Sequence, residues 1–270
     1  MRVPSILQGL PDDLLTSYVV EKRLVKVYSE DYLSLISKGQ IAGHKMLYVN
    51  SNAEIIGATE KLIWPFDSAY VYNDTPATLY LSSTSAGDAG SVLIEWLDSD
   101  YKQQTSVVAL NGQTPVAFAL GVGLRVNKCR AIGSITPTTG DVYISRENNH
   151  TAGVPNNTAS ILSAFKATSQ TSNLAAFTVP ADKTLFGVTG YFSAPKGRDN
   201  DFYWNVRNPT LGIPPTRTNV VSVYQSTIEV DFALTAIPEK TDAYFSANTQ
   251  TSSGRVSCRV VGVLVDNEYL

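Results

Sequence analysis

From Gly43 onward apolar and polar positions alternate along much of the chain. Leu79 and Leu81 are interleaved with Thr78 and Tyr80, and a run of strand formers spans residues 91–97 around Trp96. Residues 107–110 lead into Asn111-Gly112, with Val116 and Phe118 beyond. Asn-Gly between apolar runs predicts a hairpin, because both residues tolerate positive φ. Val142 and Ile144 alternate with Asp141, Tyr143 and Ser145. Later, Phe202, Trp204 and Val206 repeat the pattern, as do Ile228, Val230, Phe232 and Leu234, and then Val256, Cys258 and Val260. One apolar and one polar face per strand is what antiparallel sheets show when they cover a core on one side. Pro214-Pro215, Pro238 and Ser252-Ser253-Gly254 punctuate these runs. The expected fold is all-β, an antiparallel β-sandwich or jelly roll, built either as one sandwich or as two lobes.

The N-terminal part reads differently. Residues 1–28 contain Pro4, Gly9 and Pro11 and are expected to form an arm. Ser29 can cap a short helix, with Glu30 and Asp31 at its positive end and Tyr32, Leu33, Leu35 and Ile36 on one face. Gly39 supplies a left-handed stop. Residues 146–158 are polar and turn-forming, so the expected division is arm and helix 1–44, a first β lobe 45–145, a loop or linker 146–158 and a second β lobe 159–270. No repeat relates the two halves.

The chain has 270 residues with 21 Lys+Arg against 24 Asp+Glu, a formal net charge of −3. That balance gives no electrostatic footprint for nucleic acid. Pro4, Gly9, Pro11, Asp12 and Asp13 break the first stretch, so no export signal is read there. No apolar run is long enough to span a bilayer. Cys129 and Cys258 lie in apolar contexts and are expected to be buried free thiols, which suits synthesis in a reducing cytoplasm.

The residue types that could carry chemistry stand in structural contexts. His44 and His150 lack metal-ligand spacing, and each is expected at the surface or in a loop. Asp98 with Asp100, and Asp199 with Asp201, are expected in polar turns rather than as paired catalytic carboxylates or a calcium loop. Gly121-Val122-Gly123 is expected to be a bulge or close approach within a sheet, not a phosphate loop. Tyr70, Tyr72, Tyr80, Tyr101, Tyr203, Tyr224 and Tyr244 suit sandwich edges or an oligomer interface. The sequence therefore offers no catalytic, cofactor-binding or metal-binding residue, and an enzyme is not expected.

One set of segments resembles a known group. It comprises Ile94-Glu95-Trp96-Leu97-Asp98-Ser99-Asp100-Tyr101, residues 108–116 with Leu110-Asn111-Gly112-Gln113-Thr114-Pro115, residues 125–134 and Thr139-Gly140-Asp141-Val142-Tyr143-Ile144. It continues with Phe177-Thr178-Val179-Pro180-Ala181-Asp182-Lys183-Thr184, Lys196-Gly197-Arg198-Asp199 and Pro238-Glu239-Lys240-Thr241-Asp242. Together these resemble virion structural proteins of aquatic tailed bacteriophages, over residues 94 to about 267. The resemblance implies a capsid decoration (cement) protein of the virion, assembled in the bacterial cytoplasm. It would bind the major capsid protein and itself, as a homotrimer, without nucleic acid or membrane. Within the same resemblance, a tail, baseplate or glycan-binding host-recognition component is the alternative, and a jelly-roll major capsid protein a third. The group carries no catalytic motif to transfer.

Overall fold

The computed structural model describes residues 29–55, 57–66, 70–133, 138–195, 200–223, 227–249 and 254–270. The arm expected at 1–28, the segment 196–199 and Tyr224 lie outside the described residues. Helix α1 (Ser29–Ser37) is followed by β1 (His44–Ile55), β2 (Lys61–Leu62), β3 (Ala77–Ser83), β4 (Ser91–Asp98), β5 (Gln103–Ala109) and β6 (Val116–Ile132). Then come β7 (Val142–Ser145), β8 (His150–Thr151), β9 (Val154–Pro155), β10 (Ile161–Phe165), β11 (Ala176–Thr178) and β12 (Lys183–Ser193). The last are β13 (Asn200–Asn208), β14 (Ile213–Val223), β15 (Thr227–Asp231), β16 (Ala236–Ile237), β17 (Asp242–Thr249) and β18 (Gly254–Asp266).

The fold is all-β, and the strands pair antiparallel. One sheet runs β1-β18-β12-β15, with β16 also on β12, and a second runs β11-β17-β13-β14, with β2 also on β17. These two enclose a common core that includes Val49, Ile55, Phe192, Phe202, Trp204, Phe245, Val256 and Cys258. They form the sandwich lobe. A third sheet, β10-β7-β3-β6-β4-β5, wraps a core of its own that includes Leu79, Leu81, Ile94, Trp96, Val126, Ile144 and Phe165. Strand pairing thus divides the chain elsewhere than at 146–158. β1 and β2 join the C-terminal strands, whereas β10, beyond that segment, pairs with β7. The segment itself carries the small β8–β9 ribbon, turned by Ala152 and Gly153 at φ of 49° and 78°.

The third sheet can curl because β6 is bent. Its first part pairs with β3 and its second with β4. The bend falls at Gly121-Val122-Gly123, and the register shifts there in both ladders. Gly121 has φ +129°, and a Cβ on Gly123 would lie 2.4 Å from Leu79 Cδ1. This is the close approach anticipated for the two glycines.

Two local expectations are corrected. Asn111-Gly112 does not join a paired hairpin, because β4 lies between β5 and β6. The turn, closed by an Asn111–Thr114 bridge, carries the chain from one side of β4 to the other. Its Gly112 (φ +54°) presses on the Ala86 backbone, where a Cβ would sit 2.3 Å from the carbonyl oxygen. The alternation from Ile228 to Leu234 also stops early. β15 ends at Asp231, and Ala233 and Leu234 turn at φ of 48° and 54°. Helix α1 forms where expected, with Ile36 buried against Val263 and Val265 and Gly39 stopping the helix at φ +68°, but Leu35, expected on the same apolar face, is exposed.

Candidate functional site

The two lobes meet along a seam. An apolar cluster fills part of this seam. Trp64 packs there with Tyr143, Ile161 and Ala164 of the single-sheet lobe and with Leu174 and Ala176 leading into the sandwich. Tyr70, Tyr72 and Tyr244, expected at sandwich edges or an interface, pack in series beside it, the first pair edge-to-face and the second tilted. Burial pushes the Tyr70 hydroxyl up to about 12 and Tyr72 well above its ordinary range, so both stay neutral.

Next to the rings lies a compact ionic network. Arg125 on β6 is only 2% exposed. Its Nε and Nη2 donate to the two oxygens of Asp242 on β17, both at 3.0 Å. Nη2 also donates to Asp74 at 2.7 Å, and Nη1 to the carbonyls of Leu124 and Asn73. Arg207, opposite Asp242 in the β13–β17 ladder, donates from Nε to the same carboxylate at 2.8 Å and from Nη2 to Asp74. Both guanidiniums lie over the Tyr72 ring, at 5.3 and 4.7 Å. Two arginines and two aspartates balance. Burial opposes the Arg125 charge, but hydrogen bonding and attraction from Asp242 outweigh it and hold the group above its ordinary range. Such a guanidinium keeps its charge at any ordinary pH. The network joins β6 of one lobe to β13 and β17 of the other in a fixed geometry.

The seam opens on one side as a cleft of about 260 Å³. It is lined by residues 45–50 of β1, by Glu95, Gln103, Asn127 and Lys128, and by residues 171–174. Lys45 Nζ is 3.5 Å from Glu95 Oε2, and Lys128 stands opposite Glu95 in the β4–β6 ladder. Asn127 spends its amide on the backbone of Thr178, donating to O and accepting from N, both at 2.8 Å.

The residues considered for chemistry are tied elsewhere. His150 is in the β8–β9 ribbon, not a free loop. Its Nδ1 lies 2.8 Å from Ser82 Oγ, and its Nε2 lies 2.9 Å from both Ser145 Oγ and the Glu147 carbonyl. Both serines are wholly buried and donate to backbone carbonyls of Gly153 and Glu147. This histidine pins the ribbon to the sheet and presents no nucleophile to solvent. His44 bonds the Ala42 carbonyl through Nδ1 at 2.7 Å and lies against Tyr32 and Tyr269. Cys129 and Cys258 are buried and free, and burial pushes both thiols up to about 12. Asp98 closes a turn, accepting from the amides of Asp100 and Lys102 at 3.0 and 2.9 Å. Asn200 and Asp201, expected in an exposed turn, open strand β13 instead, and Asn200 is fully buried. Among the described residues, no group of three or more His, Cys, Asp or Glu is placed to hold a metal ion, and no helix is long and apolar enough to cross a membrane.

Sequence reasoning missed Arg125 and its partners. The available signal was a lone charge between Leu124 and Val126, because a charge inside a buried strand needs a partner.

No family model matches the sequence, and no curated protein matches it. Among solved structures, the chain is similar to a candidate secreted protein from Parabacteroides distasonis, at 10% identity and a TM-score of 0.21, covering 83% of this chain and 90% of that one. It is similar to a structure of infectious bursal disease virus, Gt strain, at 9% identity and a TM-score of 0.20, covering 86% and 77%. A VP2 subviral particle of the same virus gives 8% identity and a TM-score of 0.18, covering 84% and 77%. At these scores the likenesses carry no argument about function.

Proposed function

We propose that the chain is a virion structural protein of a tailed bacteriophage, and within that class a capsid decoration protein that bridges neighbouring capsid subunits. It works through its surfaces, as a homotrimer bound to the major capsid protein, and not as an enzyme. The observation that carries this reading is the set of exposed apolar side chains on or beside β14 and β15. Leu211, Ile213, Val220 and Ile228 are 68, 43, 48 and 38% exposed on or beside two strands that end their sheets. Large apolar side chains on sheet edges suit burial against another protein. The segmental resemblance over residues 94 to about 267 supplies the phage context.

The test is the number of copies per particle, measured by quantitative mass spectrometry against the major capsid protein. Hundreds of copies support decoration of the head. A few dozen or fewer overturn it in favour of the second reading, a tail or baseplate component. A chain absent from purified particles removes both.

A further inference from the structure

The cleft between the lobes has a polar lining that the fold does not use up. Lys45 of the sandwich lobe meets Glu95 of the single-sheet lobe, Nζ to Oε2 at 3.5 Å, and Gln103 Nε2 donates to the same oxygen at 3.4 Å. Glu95 Oε1 accepts no hydrogen bond from a described residue. Asn50, Lys128 and Asn173 also line the cleft, and none of their side chains forms a hydrogen bond or ion pair with a described residue. Among these groups lie apolar ones. Leu174 and Phe177 are buried, whereas the Tyr48 ring is 43% exposed. Arg259, opposite Asn50 in the β1–β18 ladder, lies 5.8 Å from the centre of that ring.

The mixture narrows the chemistry of an occupant. A purely apolar ligand would strip water from Lys128 and the two amides and return nothing to them. A phosphate or nucleotide needs uncompensated positive charge, but Glu95 already neutralises Lys45. A metal ion needs several hard or imidazole ligands, and among the described residues the lining holds one carboxylate and no histidine or cysteine. A sugar ring fits what is left. Each hydroxyl both donates and accepts, so it is matched by amides, a carboxylate oxygen and an ammonium set close together. The C–H face of the ring is matched by an aromatic side chain with a wet and a dry side. The cleft, at about 260 Å³, lies just below the usual lower bound for small-molecule sites of about 300 Å³. That suits a sugar ring whose neighbours in a chain remain outside.

We propose that the inter-lobe cleft is a saccharide-binding site, in which Tyr48 stacks on a sugar ring and Asn50, Glu95, Lys128 and Asn173 bond its hydroxyls. The site goes beyond the reading of the chain as a virion structural protein and does not depend on it.

The full-length chain tests it by amide NMR. Glucose, galactose, mannose, N-acetylglucosamine and glucuronate are titrated separately, with glycerol as the control polyol. The expected result is that at least one sugar gives saturable shifts at residues 45–50 and 171–174, while glycerol does not. Tyr48→Ala should weaken that sugar about tenfold, the loss of one well-placed ring contact, and Tyr48→Phe should retain it. Lys128→Ala, at an exposed position, should weaken it as well. Tyr191→Ala removes an exposed tyrosine of the same sheet that does not line the cleft, and should bind as the parent does. No saturable shift at these residues with any of the five sugars overturns the proposal. So does an equal response to glycerol, or parental binding by Tyr48→Ala and Lys128→Ala alike. Loss of binding in Tyr191→Ala would place the sugar on the open sheet and not in the cleft, which also overturns it. None of these outcomes bears on the copy count per particle, so the two readings fall separately.

Discussion

Arg125 shows how one side chain can hold two lobes. A buried guanidinium is tolerated because Asp242 takes two of its hydrogens and Asp74 a third contact. Arg125→Met leaves Asp242 inside the seam with Arg207 as its remaining ionic partner. The expected cost is about 3–5 kcal/mol, read as a shift of the denaturant midpoint. Arg125→Lys should recover little of it, because an ammonium cannot make the forked contact. Gly123→Ala is expected to cost about 1–3 kcal/mol, since Leu79 and Trp96 must move for the new methyl group. The pair of glycines was legible as a close approach in a sheet. Arg125 was legible only as an anomaly, because its partners lie 51 and 117 residues away in the chain.

At the scale of elements, turns do much of the positioning. Asp88 accepts from Ser83 Oγ, Thr139 N and Gly140 N at 2.6, 2.9 and 3.0 Å, tying the β3–β4 turn to the bend that leads into β7. Burial works against its charge, but these hydrogen bonds together win and hold the carboxyl below its ordinary value. A depressed folded value means the stabilisation is complete above the unfolded value of about 4 and is lost as the pH falls through the folded one. Stability measured by urea unfolding should therefore drop as the pH is lowered from about 4. In Asp88→Asn that part of the acid slope should vanish. His150→Ala should loosen the β8–β9 ribbon, seen as faster amide exchange at residues 150–155 with little change elsewhere. Strand existence was largely readable from alternation, as β4, β13 and β18 show. Turn function was not: Asn111-Gly112 looks the same whether it closes a hairpin or crosses a strand, and only the partner of β5 decides.

For the whole molecule, the apolar cluster around Trp64 and the arginine network make the lobes one mechanical unit. Trp64 sits in the seam, Trp96 in the single-sheet core and Trp204 in the sandwich core. Thermal unfolding followed by tryptophan fluorescence and by far-UV circular dichroism should give one coincident transition. Separate transitions would show that the seam does not couple the lobes. The all-β class followed from the period of the sequence, but the way the chain is shared between lobes did not. Periodicity says that a residue lies in a strand and says nothing about which distant strand it meets.

The pairing of β1 with β18 also sets an order in time. His44 meets Val265, and the ladder continues to Ile55 opposite Gly254. A ribosome must therefore finish almost the entire chain before the first strand has its neighbour. The six-stranded sheet, whose strands run from Ala77 to Phe165, can close while synthesis continues. Loops that join such distant segments close slowly, and edges left waiting attract wrong partners. Until β18 is made, β1 lacks the partner against which its full length pairs, and misassembly is expected to be greatest at that stage.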